Sequence, residues 1–331
     1  MAYPTDRRSF VVAVGAGMFL AAFQTRAQKP ALPVIGYLGA ETAALFASRL
    51  RAFRQGLADA GYVEGRNVGI EFRWAEGQHS RLNALAAELV SRRVDLIVAP
   101  GGAPAAIAAK AATTSIPIVF EMGGDPVALG LVESLSRPGG NLTGVASFNV
   151  DLSPKRLEFL HEVIPAARLV AVLVNPTSPT TESQLNRLEA AARELNVHVS
   201  IFRAASEQAF EATFAKMRSL NAAGLVVASD TYFAMHSEPL AALALKYRLP
   251  AIQQSRDFAI AGGLMSYGGN FFESHRIAGV YAARLIKGAR PADLPVQQVK
   301  SFELFVNLKT ARSLGITFPV TLLASADNVI E

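Results

Sequence analysis

Small and polar residues suited to holding a ligand recur in this chain directly after short apolar runs. Gly101, Gly102 and Ala103 follow Leu96-Ile97-Val98, and Gly124 and Asp125 follow Ile118-Val119-Phe120. Ser147 and Phe148 come after Asn141 to Val145, Asn175 and Ser178 after Leu169 to Val174, Asp230 and Tyr232 after Leu225 to Ala228, and Tyr267 and Asn270 close the run from Gly263. The chemistry on offer is recognition. Glycines let a backbone approach a ligand, and helix N-termini present unpaired N–H groups to an acidic end. Asp230 can pair with an ammonium, while Phe148, Tyr232 and Tyr267 can stack on a flat ligand or simply line a wall. Plainer readings stay open: Asp125 and Asp230 can cap helices, and Asn175 before Pro176 can be turn chemistry alone.

Signatures of bond-making chemistry are missing. The chain has no G-x-x-x-x-G-K-[ST] phosphate loop, no G-x-S-x-G elbow and no H-E-x-x-H pair. His79, His161, His198, His236 and His275 are dispersed and read as surface or helix-end residues, so neither a metal nor a cofactor is expected. The absence of cysteine excludes disulfides, thiolate nucleophiles and cysteine-ligated metals.

The elements that would position these residues follow from apolar periodicity. Val94 to Val132 spells strand, glycine loop, helix, strand, glycine loop, helix. Its apolar runs do not alternate, which suits strands buried on both faces of a parallel sheet. Earlier, Pro33 to Leu38 reads as a strand, Phe46, Leu50, Phe53 and Leu57 as a helix face, and Val68 to Trp74 as a strand. The second half repeats the plan: Ile35 matches Val172 and Pro117 matches Pro250, which sets two copies roughly 133 residues apart. The expected class is therefore α/β, with two Rossmann-like lobes of parallel sheets whose strand ends face a shared cleft.

With 331 residues and 51% apolar content the chain can bury two cores, and 18% charge argues against disorder. Arg7, Arg8 and Arg26 against Asp6 supply part of a formal charge of only +5, and the other basic residues are scattered, so no nucleic-acid partner is expected. Thr5 to Ser9 carries paired arginines, Phe10 to Phe23 is uncharged, and small residues permit a cut after Ala27. That pattern reads as an export signal over residues 1–27, resembling the twin-arginine type, and so predicts a periplasmic protein. An uncleaved anchor is the alternative.

Several ordered blocks carry a family resemblance. They include Gly61-Tyr62-Val63-Glu64-Gly65-Arg66-Asn67-Val68, Ile116-Pro117-Ile118-Val119-Phe120, Asp125-Pro126-Val127, Pro138-Gly139-Gly140-Asn141-Leu142-Thr143-Gly144-Val145, Pro291-Ala292-Asp293-Leu294-Pro295 and Ala326-Asp327-Asn328-Val329-Ile330. From Val34 to Ile330 the sequence resembles the substrate-binding proteins of ABC importers, in the branch that includes tryptophan- and tyrosine-type solute-binding proteins. The resemblance implies a type I periplasmic-binding fold with hinge crossings near Phe148 to Ser153, Gly268 to Phe271 and Pro295 to Gln298. Lobe I would hold residues 33–147 plus 268–294, and lobe II residues 148–267 plus 295–331. It further implies capture of a small, amino-acid-like solute by hinge closure and delivery to an ABC permease and its ATPase, by a non-enzymatic monomer. The same two lobes would also serve an α/β enzyme or a ligand-sensing regulator. A regulator should carry a helix-turn-helix before Val34, where the export signal stands.

Overall fold

The computed structural model describes Met1 and residues 32–331, so the expected export signal lies outside the described residues. In chain order the strands are β1 (Val34–Gly39), β2 (Gly69–Trp74), β3 (Leu96–Ala99), β4 (Ile118–Met122) and β5 (Leu142–Ala146), then β6 (Leu169–Val174), β7 (His198–Arg203), β8 (Gly224–Val227), β9 (Ala251–Gln253) and β10 (Met265–Gly269), and finally β11 (Gln297–Gln298), β12 (Phe302–Asn307) and β13 (Asn328–Ile330). They form two sheets, ordered β11-β5-β4-β3-β1-β2 and β13-β12-β10-β9-β8-β6-β7. The repeat read from the sequence is visible here, because β2-β1-β3-β4-β5 and β7-β6-β8-β9-β10 are the same strand order. Every pairing is parallel except β10 with β12. This is the expected α/β class.

Non-alternating strands are covered on both faces, as their sequences require. β3, β4, β5 and β8 are buried throughout, and each sheet has one apolar cluster on either side. Alanines let the helix Gly102–Ala112 lie close to the first sheet, where Ala103, Ala105, Ala106, Ala108 and Ala109 are buried. On the opposite face the helix Ala47–Asp59 packs against Phe271–Ile286 at a glycine crossing. A Cβ on Gly56 would stand 1.9 Å from the Arg276 carbonyl oxygen, and one on Gly279 would stand 2.2 Å from that of Phe53. Burying Phe53 and Leu57 there contributes roughly 1.5–3 kcal/mol each.

One local expectation fails. No helix follows Asp125: the chain from Pro126 turns back, with Leu131 N–H donating to the Pro126 carbonyl at 2.8 Å after a left-handed Gly130 at φ +64°. Burial of Leu131 and Val132 in the first core draws the segment inward and ends the turn early. Conversely, Ser153–Val163 forms a helix, with proline in its first turn, where no helix was expected.

The chain passes between the sheets in three places, and the passages are hydrogen-bonded to one another. Asn149 Oδ1 accepts from Gly269 N–H at 2.8 Å and its Nδ2 donates to Ser147 Oγ at 3.0 Å. Asn270 N–H donates to the Ser301 carbonyl at 3.1 Å, and its Nδ2 to Glu303 at 2.8 Å. Gln297 and Gln298 pair with Val145 and Ala146 of the first sheet, so the last passage comes after Gln298 rather than at Pro295 to Gln298. Among the described residues, no helix is long and apolar enough to cross a membrane.

Candidate functional site

The carboxyl ends of β1, β3 and β4 face those of β6, β8 and β9 across a cavity with about 520 Å³ of empty space, part of it open to solvent. Such a position, at the strand ends of an open α/β sheet, is where the backbone exposes loops and helix starts to a ligand. Gly102, Ala103, Glu121 and Gly124 line it from the first sheet, Ser178, Thr180, Ser229, Asp230 and Thr231 from the second, with Asn149 between them. Arg49, Gln254 and Phe271 complete much of the wall.

The two rims meet. A Cβ on Gly102 would lie 2.6 Å from Thr231 Oγ1, and one on Gly124 would lie 3.0 Å from Thr180 Cγ2. Gly102 also sits at φ +76°, a conformation that disfavours any side chain. It opens the helix Gly102–Ala112, whose first turn has N–H groups without intrahelical partners.

The wall from the second sheet is largely satisfied from within, with Arg156 Nε beneath it the exception. Asp230 Oδ1 accepts from Tyr232 N–H at 2.9 Å, capping the helix Thr231–Met235, and from Asn175 Nδ2 at 3.1 Å. Gln184 clamps Ser229 through both its backbone groups, at 2.7 and 2.8 Å. Beneath it, the buried Arg156 guanidinium donates to the carbonyls of Asn149 (2.6 Å) and Tyr267 (2.9 Å) and to the hydroxyls of Ser153 and Ser229. Burial without a carboxylate partner pulls its pKa down to about 9.

The wall from the first sheet is not satisfied. Glu121, the last residue but one of β4, has Oε1 lacking a hydrogen-bond partner, and Glu41, two residues after β1, has none for either oxygen. Burial raises Glu41 to about 8 and Glu121 to about 7, with Arg49 opposing both. Arg49 Nη1 stands 3.8 Å from Glu41, while its guanidinium lies over the Phe271 ring at 4.3 Å from the centroid. Behind them His275 donates from Nδ1 to the Phe271 carbonyl at 2.8 Å, and burial lowers its pKa to about 3.

The residues expected from sequence therefore divide. Gly102, Ala103, Gly124, Ser178 and Asp230 line the cavity. The others stand nearby in structural roles. Gly101 packs within 2.6 Å of the Ala40 nitrogen, measured to an added Cβ, and Asp125 caps the turn after β4 through Val127 and Ala128. Ser147 and Phe148, the latter at φ +50°, belong to the first passage between the sheets. Asn175 orients Asp230, and Asn270 caps the helix Phe271–Ile286. The Tyr232 ring packs on Phe210 and His236, and the Tyr267 ring on Phe159 and Phe302.

Arg49, Glu121, Asn149 and Gln254 were not anticipated. Two of them left a trace in the sequence. Glu121 interrupts an otherwise apolar, doubly buried strand, and Arg49 sits three residues beyond Phe46 beside a helix's apolar face. Among the described residues, no group of three histidine, aspartate or glutamate side chains is placed to hold a metal ion.

Comparison with known proteins adds the following. A family model described as "ABC transporter substrate binding protein" matches residues 42–330. A tyrosine-binding protein of Clostridioides difficile (strain R20291) is 28% identical over 284 residues, covering 84% of this chain and 78% of that protein. A structure from Streptococcus pneumonia, solved with L-Trp, superposes with a TM-score of 0.82 at 27% identity, covering 90% of this chain and all of the other. A substrate binding protein with adhesive properties from Clostridium difficile, in a ligand-free, open form, gives 0.64 at 25% identity, covering 90% of this chain and 99% of the other.

Proposed function

This chain belongs to the ABC transporter substrate binding protein family and has a type I periplasmic-binding fold, and from that premise we propose that it is an exported, non-catalytic receptor which captures a small amino-acid-like solute by hinge closure. The observation that carries the reading is the meeting of the two rims, Gly102 against Thr231 and Gly124 against Thr180, around a polar cavity. Rims that touch enclose a guest from both sides, and lobes joined by short passages can part to admit it. Two superpositions at similar identity support closure: the chain fits the structure holding L-Trp better than the ligand-free, open one. The tyrosine and tryptophan bound by those relatives favour an amino-acid-like guest here.

In this reading Asp230 receives the ammonium end. The N–H groups around Gly102 and Ala103 receive the carboxylate, with Ser178 beside them. Asn149 and Arg156 lock the passages, so that opening and closing are movements of whole lobes. Lobe I comprises residues 33–147, the helix Phe271–Ile286 and β11; lobe II holds the remainder. The loaded receptor presents its solute to a membrane permease powered by an ATPase, and the N-terminal segment carries it to the periplasm.

Fractionation of cells expressing the full chain, followed by native mass spectrometry, tests this. A periplasmic protein carrying one co-purified small molecule is the expected result. Full-length protein in the cytoplasm, or turnover of the bound molecule into product, would sink the proposal.

A further inference from the structure

The two walls of the cavity differ in what they lack. On the second-sheet side Asp230, Ser229 and Gln254 have protein partners. On the first-sheet side both carboxylate oxygens of Glu41 and Oε1 of Glu121 have none, although both residues are at most 4% exposed and Glu121 lines the cavity. A buried acid without a donor is costly, and the shortfall is met by a proton or by a donor that arrives.

Ser274 donates to Glu121 and lowers its pKa slightly against burial, but no donor reaches Glu121 Oε1 or either oxygen of Glu41. Tyr37 on β1 is itself buried with a partnerless hydroxyl, and its pKa is raised by burial and by both glutamates. From the helix Phe271–Ile286 come Ser274 and the neutral His275, whose Nε2 is unpartnered. From the helix Ala47–Asp59 comes Arg49, with Arg54 more distant, and across the cleft Asp230 adds a further negative group. Glu41 and Glu121 thus share Arg49, which leans on Phe271 and is beyond hydrogen-bonding reach of Glu41. A further hydrogen-bond donor for the acid pair is missing from the enclosure.

The rings of Tyr232, Tyr267 and Phe271 already have protein neighbours. Tyr232 packs on Phe210 and His236 and borders Gly77 of the first lobe, Tyr267 packs on Phe159 and Phe302, and Arg49 lies over the ring of Phe271 in the wall. The wall best suited to the guest's side group is acidic.

Resting on the solute-capture reading above, we propose that the guest carries a cationic side group, an ammonium or guanidinium, which seats against Glu121 with Glu41 behind it. This makes the protein a receptor for basic amino-acid-like solutes. Its arrival supplies the missing donor to Glu121 and displaces the proton that burial otherwise keeps on the acid pair near neutral pH.

Isothermal titration calorimetry of the purified chain at pH 7, in phosphate and in Tris, tests this with L-arginine, L-lysine, putrescine, L-tyrosine and L-tryptophan as probes. L-Arginine or L-lysine should bind more tightly than either aromatic amino acid and release up to about one proton. Glu121→Gln should weaken that binding at least tenfold and abolish the release, without lowering the melting temperature, because it removes a buried acid. Putrescine binding as tightly as L-lysine would keep the cationic group but overturn the amino-acid assignment. Tighter binding of L-tyrosine or L-tryptophan, unaffected by Glu121→Gln, overturns the inference while leaving solute capture intact. Failure of every cationic probe overturns it as well, and solute capture then falls with it only if nothing co-purifies.

Discussion

Gly102 and Thr231 touch across the cleft, one from the end of each sheet, and no side chain fits between them. Gly102→Ala adds a Cβ that would stand 2.6 Å from Thr231 Oγ1 and also strains a left-handed residue by about 1–2 kcal/mol. Ligand affinity should drop about tenfold or more, and small-angle scattering with ligand should keep the expanded envelope. Adding Thr231→Ala should restore part of the affinity by removing the clash; no recovery would mean the contact is not limiting for closure.

Asp230 has two duties that different substitutions separate. Asp230→Asn keeps an Oδ1 to cap the helix Thr231–Met235, whereas Asp230→Ala loses the cap, about 1 kcal/mol of stability. If the carboxylate also pairs with a buried ligand ammonium, both variants should lose roughly 2 kcal/mol or more of binding. Calorimetry beside urea denaturation distinguishes the two effects. Unchanged affinity in Asp230→Asn would remove the ammonium contact and leave only the cap.

Stability of the ligand-free protein should fall as pH rises above neutrality. The folded state holds protons on Glu41 and Glu121 more tightly than the unfolded chain, so their contribution is full below about 4.5 and is lost as pH climbs to about 7 for Glu121 and about 8 for Glu41. His275 has the opposite sign: kept neutral by burial, it contributes fully above 6.5 and loses stability as pH falls toward about 3. Melting temperature should therefore be lower at pH 8.5 than at pH 6.5, and the double variant Glu41→Gln, Glu121→Gln should flatten that limb. A wild-type curve flat from pH 6.5 to 8.5 would contradict these shifts.

Arg156 ties the first and second passages to the strand-end wall of the second sheet through Asn149, Tyr267 and Ser229. Arg156→Ala leaves buried carbonyls without donors and a cavity behind them, and should cost on the order of 3–5 kcal/mol in urea denaturation. Arg156→Lys keeps one charge but not the fork, and should recover only part. Full stability in the lysine variant would show that the guanidinium geometry is dispensable.

Much of the scaffold was legible because buried parallel strands leave unbroken apolar runs, as in Leu169 to Val174, and because the same order of strands was written twice. The position of the cleft followed from strand ends. Side-chain direction did not: Tyr232 and Tyr267 stand where a ligand could be stacked, yet each ring finds apolar neighbours in its own lobe. The helix expected after Asp125 was undone by Gly130 and by the inward pull of Leu131, a tertiary effect that local spacing does not carry. Arg49 and Glu121 looked like interruptions of apolar patterns, and their meeting depends on the helix from Phe271, far away in sequence.

The glycine crossing of Ala47–Asp59 with Phe271–Ile286 also constrains how the molecule is made. One outer layer of the first sheet is contributed by residues that emerge from the ribosome only after β6 to β10 of the second sheet. Until they arrive, Phe46, Phe53 and Leu57 lack the partner that covers them, and the nascent first sheet must wait, incomplete, for a helix made after most of the second.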